Sequence, residues 1–448
     1  MARFGALALS SRAHKKHCAR HQPRRGGAEA DALCCADDGL DPPAKALSRH
    51  PDARRSAGDA LHGRRRPRGD FSVSGIGDAI RAEGEALSSI FSELAADLKE
   101  ASLSGPRARF CAASALSVGV ATIVALAMHV DDVWWAAISA FMCSQASLPA
   151  SLTKGVLRMI GTIVGALVAL MLVSWLAYDW VACCLFLFMS TLIGTLGFQL
   201  SAHAYAWLLG SITFNFIILL ALSSPQNTFY FSIYRIMEVA IGVGSALLIA
   251  ALFSPKDGGA TLSAAGWAGF LDDPQTMARL HALRAAFTVM LIPIVWSYAE
   301  LPSLAQMAIT ISAVMAVPAP SAATPDPGLM MVRRALHRLL GCFLGGVIAL
   351  VCLAAPLTNF VVWLATLMGG VWIGCHLQAT PRKIGYVGTQ GAIVFIMTLV
   401  QGFGPPTSIW PAVERLGGVS FGLVILLLVS IVFEILVPET TPPRLAVD

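Results

Sequence analysis

The sequence predicts an all-α, polytopic membrane protein with about twelve transmembrane helices, arranged as two parallel six-helix repeats. Three observations lead to this prediction: the composition, the length of the apolar runs and an internal repeat. Of the 448 residues, 56% are hydrophobic and 13% are charged. A soluble globular chain carries about 25% charged residues, and a disordered scaffold needs high charge and few large apolar groups. The composition therefore excludes both classes.

Positive charge is concentrated at the start of the chain. Residues 1–70 contain 15 of the 32 Lys and Arg and 8 of the 27 Asp and Glu, which gives this segment a net charge of +7. The whole chain carries +5, so the remaining residues carry −2. The membrane region thus has no basic surface of the kind that binds nucleic acid, and we expect no nucleic-acid partner.

The first 104 residues divide into two segments of different character. Residues 1–74 show neither helical nor strand periodicity, which predicts a disordered basic tail. A wrongly assigned translation start, with the true start near Val73, is the other interpretation of this segment. In residues 75–104, apolar residues recur at helical spacing. This pattern predicts an amphipathic helix that lies on the membrane surface or packs under the helix bundle.

Apolar runs dominate the chain from residue 108 onward. A bilayer core of ~30 Å requires ~20 helical residues. The runs predict twelve spans, at residues 108–130, 133–150, 154–176, 179–200, 204–223, 230–253, 281–299, 303–320, 332–354, 358–379, 385–403 and 411–437. The second and eighth spans are short and contain proline, so we expect tilted or broken helices there.

Domain boundaries and orientation follow from these runs and their connections. We expect a first membrane repeat at 105–254, a cytoplasmic linker at 255–280, a second membrane repeat at 281–437 and a cytoplasmic tail at 438–448. The connections on one side carry Lys and Arg, and the positive-inside rule then places both termini in the cytoplasm. The connections on the other side carry acidic residues that we interpret as solvated loop charges, including Asp131 and Asp132.

The two halves of the membrane region repeat at an offset of about 180 residues. The run RMIGTIVG that begins at Arg158 matches RLLGCFLG that begins at Arg338. Further pairs at an offset of 180 or 181 are Arg235 with Arg415, Gly242 with Gly422, and Tyr205 with Tyr386. Six spans in each unit give both units the same orientation. We therefore expect an axis along the membrane normal, a common transporter architecture with the pathway at the repeat interface.

The doubled Arg-x-x-Gly-x-x-x-Gly motif, at the start of the third span of each unit, resembles the fusaric acid resistance family of aromatic acid exporters. The resemblance covers about residues 105–437. It implies an efflux component of the bacterial inner membrane whose substrate is a small organic acid. A periplasmic adaptor protein and a homo-oligomer are further partners that we expect. Many relatives carry a large cytoplasmic domain, for which the link at residues 254–280 is too short.

Charged residues within the spans are the candidates for a binding site, because an ionised side chain at membrane depth is costly unless it is paired or hydrated. Arg158 and Arg338 lie in the first two turns of spans three and nine, and Arg235 and Arg415 lie inside spans six and twelve. A planar guanidinium binds carboxylate through paired hydrogen bonds, so we interpret all four as substrate-binding residues. Arg158 and Arg338 also suit anchoring at the lipid headgroups, and the other two suit structural pairs.

Two residues are candidates for proton coupling. Glu238 follows Arg235 by three residues, a spacing that allows either an ion pair or a proton carrier that responds to substrate. His203 lies near the predicted cytoplasmic end of span four and suits a proton relay or a capping role. Trp134 and Trp135 begin span two, where an interfacial aromatic belt is expected, with stacking on a substrate as the alternative.

Three glycine pairs with GxxxG spacing permit close approach of helices. We expect these pairs to mediate packing between the two repeats. They are Gly161 with Gly165, Gly341 with Gly345, and Gly418 with Gly422.

The sequence offers no convincing motif for catalysis. It contains no GxxxxGK[ST] or HExxH motif, its GxSxG match at residues 418–422 lies inside an apolar run instead of following a strand, and its ten cysteines show no metal-ligand spacing. We therefore expect no enzyme activity, no catalytic residue, no metal and no cofactor. The prediction is a proton-coupled secondary exporter of aromatic or other hydrophobic organic acids. An organic anion channel and an envelope-assembly protein without transport activity are the alternatives.

Overall fold

A computed structural model describes residues 88–176, 178–255, 276–299, 303–317, 327–355, 357, 359–382, 384–402, 404 and 408–436. All of them belong to one compact unit, Ser72–Asp448. The regular elements in this part of the chain are helices, and it contains no β-strand, so the predicted all-α class is confirmed. The predicted basic tail, most of the linker and the predicted C-terminal tail lie outside the described residues.

Thirteen α-helices occur in the described residues. Helix α1 covers residues 88–99, within the predicted amphipathic helix. A first set of six follows: α2 (Pro106–Ala127), α3 (Val133–Cys143), α4 (Leu148–Leu176), α5 (Trp180–Leu200), α6 (Ala204–Ser223) and α7 (Thr228–Phe253). The second set comprises α8 (Thr276–Ala299), α9 (Leu304–Met315), α10 (Pro327–Ala354), α11 (Phe360–Gln378), α12 (Gly385–Leu399) and α13 (Trp410–Leu436).

Nine of the helices in the described residues are long and apolar enough to cross a membrane, so this is a multi-pass membrane protein. The sequence predicted twelve spans. Helices α3, α9 and α12 fall short, with 11, 12 and 15 residues. Pro149 lies in the first turn of α4 instead of interrupting span two, because proline is tolerated where a helix begins. Helix α8 begins at Thr276, inside the predicted linker.

The two sets of six helices pack in the same way. The third and fifth helices form a close pair in each set, α4 with α6 and α10 with α12. The second and sixth helices form another, α3 with α7 and α9 with α13. Between the sets, α5 packs against α8 and α2 against α11, while the short helices reach across, α9 to α6 and α3 to α12.

The two short helices α3 and α9 lie in the interior of the bundle. Ten of the 11 residues of α3 and nine of the 12 residues of α9 are buried. Long helices such as α4 instead expose apolar side chains, for example those of Val164 and Leu167. Helix ends inside hydrocarbon are tolerated only where protein or a cavity surrounds them. The short helices therefore bring their ends and their polar side chains to the centre of the protein.

Helix α1 packs against the bundle. Its Ile90 is buried in a cluster with Ile384 and Val387, at the start of α12, and with side chains of α10 such as Leu340. Of the two placements predicted for the amphipathic helix, the described part therefore adopts packing on the bundle.

Asp97, near the end of α1, connects three parts of the chain. Its buried carboxylate accepts hydrogen bonds from Arg107 Nη2 at 2.7 Å, Arg382 Nη1 at 2.9 Å and Thr380 Oγ1 at 2.8 Å. Arg107 also donates to the backbone carbonyl of His376. This network ties α1 and the start of α2 to the turn between α11 and α12.

Candidate functional site

Arg158 lies inside the first set of helices and is only 4% exposed. Its Nε donates to Ser139 Oγ on α3 at 3.2 Å, and its Nη1 donates to Tyr205 Oη at the start of α6 at 2.7 Å. Lys154, one turn earlier on α4, has its Nζ 5.5 Å from the centroid of the Tyr205 ring. Two cations of α4 therefore converge on one tyrosine.

Arg338 is the corresponding arginine of the second set and has the same 4% exposure. Its Nη1 donates to Gln390 Oε1 at 2.6 Å and its Nη2 to Thr310 Oγ1 at 3.3 Å, while its buried Nε has no hydrogen-bond partner. Arg334, one turn earlier, has its guanidinium carbon 4.4 Å from the centroid of the Tyr386 ring. A buried arginine bound to a short helix and a second cation beside a tyrosine thus recur here, but Gln390 takes the place of the tyrosine as hydrogen-bond partner of the buried arginine.

The surroundings of these two arginines exclude one of their two predicted roles. Anchoring at lipid headgroups is wrong for both Arg158 and Arg338, because their guanidinium groups are buried and hydrogen-bonded inside the bundle. Each contacts a hydroxyl on the seventh residue of a short helix, Ser139 of α3 and Thr310 of α9. Among the described residues no hydrogen bond joins the two sites, so each arginine serves its own set.

Arg235, on α7, is 2% exposed and stacks on aromatic rings. Its guanidinium carbon lies 3.1 Å from the Trp135 ring centroid and 4.8 Å from that of Phe216. Stacking uses the face of the guanidinium and leaves its N–H groups directed outward in the plane. Arg235 Nε, Arg235 Nη1 and Trp135 Nε1 are all buried without a hydrogen-bond partner. Three donors therefore meet at one place without an acceptor.

Arg415, on α13 of the second set, reaches the same place. Its guanidinium carbon lies 4.5 Å from the Trp134 ring centroid, and its Nη1 donates to the Met397 carbonyl at 2.6 Å. The rings of Trp134 and Trp135 are 4.1 Å apart. We call Arg235, Trp135, Trp134 and Arg415 the arginine–tryptophan stack. The tryptophans are 5% and 6% exposed, so the predicted interfacial belt is wrong.

Two carboxylates border the stack. Glu238, 2% exposed, accepts a hydrogen bond at Oε1 from the backbone N–H of Asp132 at 3.2 Å. Asp132 Oδ1 in turn accepts one from Trp134 Nε1 at 3.0 Å. The ion pairs within 4.0 Å in the described part of the chain do not include Glu238 with Arg235. The predicted ion pair is therefore not formed, and Asp132, which is half-buried at the stack, is not a solvated loop charge.

His203 is buried at the N-terminus of α6, far from these carboxylates. Phe216, which contacts Arg235, follows His203 by thirteen residues, or about 20 Å along an α-helix. The structure thus does not bring the two predicted proton-coupling residues, Glu238 and His203, together.

Each glycine pair faces a helix of its own set, contrary to the expected packing between repeats. A Cβ on Gly161 would lie 2.5 Å from the Ala206 carbonyl of α6, and one on Gly341 would lie 2.5 Å from the Val387 carbonyl at α12. Gly165 and Gly345 face the same two helices one turn later, and Gly418 and Gly422 face α9. Close contact within a set, not between sets, is what these glycines permit.

A cavity of about 530 Å³ lies between α4, α5 and α6. Its walls are almost entirely apolar, and it includes Gly161, Gly165 and Phe214 but none of the four arginines. The cavity therefore offers no charge to a carboxylate, and we place the candidate site at the stack. The described residues also contain no group of three or more His, Cys, Asp or Glu that could hold a metal ion.

The first set of helices carries a recognisable family signature. Residues 107–273 match the model of the fusaric acid resistance protein family. This match confirms, over those residues, the resemblance that the repeated arginine motif predicted.

Curated relatives match a shorter part of the chain. The p-hydroxybenzoic acid efflux pump subunit AaeB of Salmonella paratyphi A is 32% identical over 107 residues, which are 23% of this chain and 16% of the relative. The subunits of Salmonella arizonae and Salmonella newport match to the same extent. The alignment thus spans about one sixth of the length of these relatives. No solved structure matches the chain.

Several site residues were not predicted from the sequence. Tyr205 and Tyr386 form a repeated pair in the sequence, but this repetition does not reveal that each tyrosine lies beside a cation of its set. Ser139 and Thr310 are separated by 171 residues, so the repeat at an offset of about 180 residues does not relate them. They correspond only when the two short helices are aligned from their first residues.

Proposed function

We propose that this protein is a membrane efflux transporter for aromatic or other hydrophobic organic acids. The observation that carries the proposal is the group of three buried donors, on Arg235 and Trp135, that have no acceptor. Buried polar groups are almost always hydrogen-bonded, so these donors favour a ligand that supplies oxygen atoms. The printed name of the relatives, a p-hydroxybenzoic acid efflux pump subunit, supports the same class of ligand.

A carboxylate attached to an apolar ring fits this place for two reasons. An isolated buried guanidinium is costly, and a carboxylate in its plane offsets that cost through charge-assisted hydrogen bonds. The rings of Phe216 and Trp135, with centroids 5.3 Å apart and edge to face, make the surroundings of Arg235 apolar, which suits the ring of such a ligand. Arg158 and Arg338 extend the positive charge along the two short helices.

We also infer that α2–α7 and α8–α13 are two parallel repeats, with an axis along the membrane normal and both termini in the cytoplasm of a bacterial inner membrane. The matched packing of the two sets supports this arrangement, as does the restriction of Lys and Arg to alternate connections. The stack joins Arg235 of one repeat to Arg415 of the other. It would then lie at the repeat interface, where such transporters bind substrate.

For coupling to protons we propose Glu238 as the proton carrier. Its buried carboxylate borders the stack and accepts a hydrogen bond from a backbone N–H, so substrate at Arg235 would change its electrostatic surroundings. The role of His203 in proton transfer, the periplasmic adaptor protein and the homo-oligomer stay predictions.

Efflux of radiolabelled 4-hydroxybenzoate from preloaded cells tests the proposal. We expect export that requires the protein, collapses with a protonophore and is at least about tenfold slower in Arg235→Lys, because lysine keeps the charge but lacks the planar donor edge. Arg109→Lys is the matched control, since Arg109 is exposed on α2. Both variants must be present in the membrane at the parent level.

Other outcomes point to the alternatives. Normal export by Arg235→Lys would show that the stack is not part of the substrate pathway. Anion currents that are independent of protons would favour a channel. No export of any aromatic acid, with the protein present in the membrane, would favour a role in envelope assembly.

A further inference from the structure

Asp132 lies where the two sets of helices meet, next to both arginines of the stack. It is the residue before the first turn of α3, and its carboxylate interacts electrostatically with Arg415 and Arg235. Trp134 Nε1 holds one carboxylate oxygen at 3.0 Å, and the backbone N–H of Asp132 binds Glu238 at 3.2 Å. Side chain and backbone are both held by hydrogen bonds, so the carboxyl group of Asp132 has a defined place.

The charges around Asp132 come from three elements. Helix α7 contributes Arg235 and Glu238, helix α13 contributes Arg415, and the loop itself contributes the exposed Asp131. Among the described residues neither arginine forms an ion pair within 4.0 Å with any of these carboxylates. Asp132 therefore lowers the positive potential at the stack without occupying the donors of Arg235 and Trp135.

We propose that Asp132 is a specificity-determining residue that restricts the stack to ligands with a single negative charge. This inference rests on the proposed function as an organic-acid transporter. One carboxylate satisfies the unpartnered donors of Arg235 and Trp135. A second carboxylate on the same small ring would lie next to the carboxylate of Asp132, where like charges repel across a medium of low dielectric constant.

The neighbouring residue provides a matched control. Asp131 and Asp132 carry the same formal charge one residue apart, but Asp131 is exposed and Asp132 is half-buried at the stack. Water and salt screen the charge of an exposed group, whereas a partly buried charge is screened much less. Removal of the two charges should therefore have very different effects on charge discrimination.

Displacement of radiolabelled 4-hydroxybenzoate from the purified protein in detergent tests the inference, with benzoate and the dianion terephthalate as competitors. For the parent protein we expect benzoate to compete much better than terephthalate. Asp132→Asn should reduce the ratio of the terephthalate inhibition constant to the benzoate inhibition constant at least about tenfold, mainly because terephthalate binds more tightly. Asp131→Asn should change the ratio less than about twofold, and Asp132→Glu should keep the parent ratio.

The ratio separates a role in specificity from a role in folding. Asparagine retains an oxygen that can accept the hydrogen bond from Trp134, and a damaged fold would weaken both competitors alike. An unchanged ratio in Asp132→Asn, or an equal change in Asp131→Asn, would overturn the inference while the proposed function stands. Absence of specific 4-hydroxybenzoate binding to the parent protein would instead overturn the proposed function and this inference with it.

Discussion

Arg158 is a buried cation without a carboxylate partner. Its acceptors are the hydroxyl groups of Ser139 and Tyr205, which are hydrogen-bonding but uncharged. Hydroxyl groups stabilise a guanidinium without cancelling its charge, so the positive potential extends into the surrounding space. Thr310 and the Gln390 amide do the same for Arg338. At the scale of single residues, both sets of helices therefore keep a positive charge available to an anion.

Removal of the Tyr205 hydroxyl should weaken the fold measurably. Tyr205→Phe deletes the 2.7 Å hydrogen bond to Arg158, and hydrogen bonds between membrane helices contribute about 0.6–1.7 kcal/mol. We expect a loss of about 1 kcal/mol in the free energy of unfolding, measured by denaturation in mixed micelles. Tyr178→Phe, at a tyrosine that is 78% exposed, should change nothing. Equal stability of the two variants would contradict a structural role for this hydrogen bond.

Charged residues in an apolar segment are easy to recognise in the sequence. Their hydrogen-bond acceptors are not. The four arginines could be identified as candidates because ionised residues are rare in membrane helices. Their acceptors could not, because serine and threonine are common there and most simply bond to their own helix, as Thr122 does with the Val118 carbonyl. Only the three-dimensional packing of α3 against α4 distinguishes Ser139 from such residues.

At the scale of elements, the close pair of α4 and α6 depends on glycine. Gly161 sits where a Cβ would lie 2.5 Å from the Ala206 carbonyl, and a backbone atom cannot move aside as a flexible side chain can. Gly244, on α7, has no atom within 4 Å of the same position. The two glycines thus separate the effect of packing from the effect of helix propensity.

Substitution by alanine at these two positions should have opposite results. Gly161→Ala should lower the free energy of unfolding by about 1–3 kcal/mol, the usual cost of overpacking. Gly244→Ala should be neutral or stabilise by about 0.5–1 kcal/mol, because alanine favours the helix. Thermal unfolding of the purified proteins in detergent measures both. A loss of stability in Gly244→Ala comparable to that in Gly161→Ala would contradict the packing argument.

The long helices could be predicted better than the short ones. The long spans follow from apolar runs, and α6 (Ala204–Ser223) has the predicted ends. The short helices α3 and α9 could not be predicted in full, because the residues that follow them are also apolar or small. Their ends depend on being surrounded by protein, which exempts them from spanning the bilayer. The sequence contained only the prolines as a hint.

At the scale of the whole molecule, polar side chains that join the two sets of helices form networks with different chemistry. The arginine–tryptophan stack joins α3 and α7 to α13, and the Asp97 network joins α1 and α2 to the turn before α12. The arginines of the stack could be predicted as site residues, but the contacts in either network could not, because each network brings together residues that are hundreds of positions apart. Docking of one set against the other, and not any local pattern, creates both.

The Asp97 network should be a measurable source of stability. Asp97→Asn removes the charge that binds Arg107 and Arg382, and we expect the free energy of unfolding to fall by about 1–3 kcal/mol. Glu100→Gln is the matched control. Glu100 pairs with Arg382 at 2.5 Å, but its side chain is 60% exposed, and exposed ion pairs contribute about 0–1 kcal/mol. Equal effects of the two variants would mean that the burial of Asp97 does not increase its contribution to the free energy of unfolding.

The same network predicts how stability depends on pH. Burial alone would raise the pKa of Asp97, but the hydrogen bonds from Arg107 and Thr380 and the charge of Arg107 together hold it below its ordinary value of 3.8. A carboxyl group with a lowered pKa in the folded state stabilises the fold above its unfolded pKa, and this contribution is lost as the pH falls through the folded pKa. The difference in unfolding temperature between the parent and Asp97→Asn should therefore stay constant from about pH 8 to about pH 5 and shrink below about pH 4. A difference that already shrinks between pH 7 and pH 5 would mean that the carboxylate of Asp97 is not held in its charged form by these arginines.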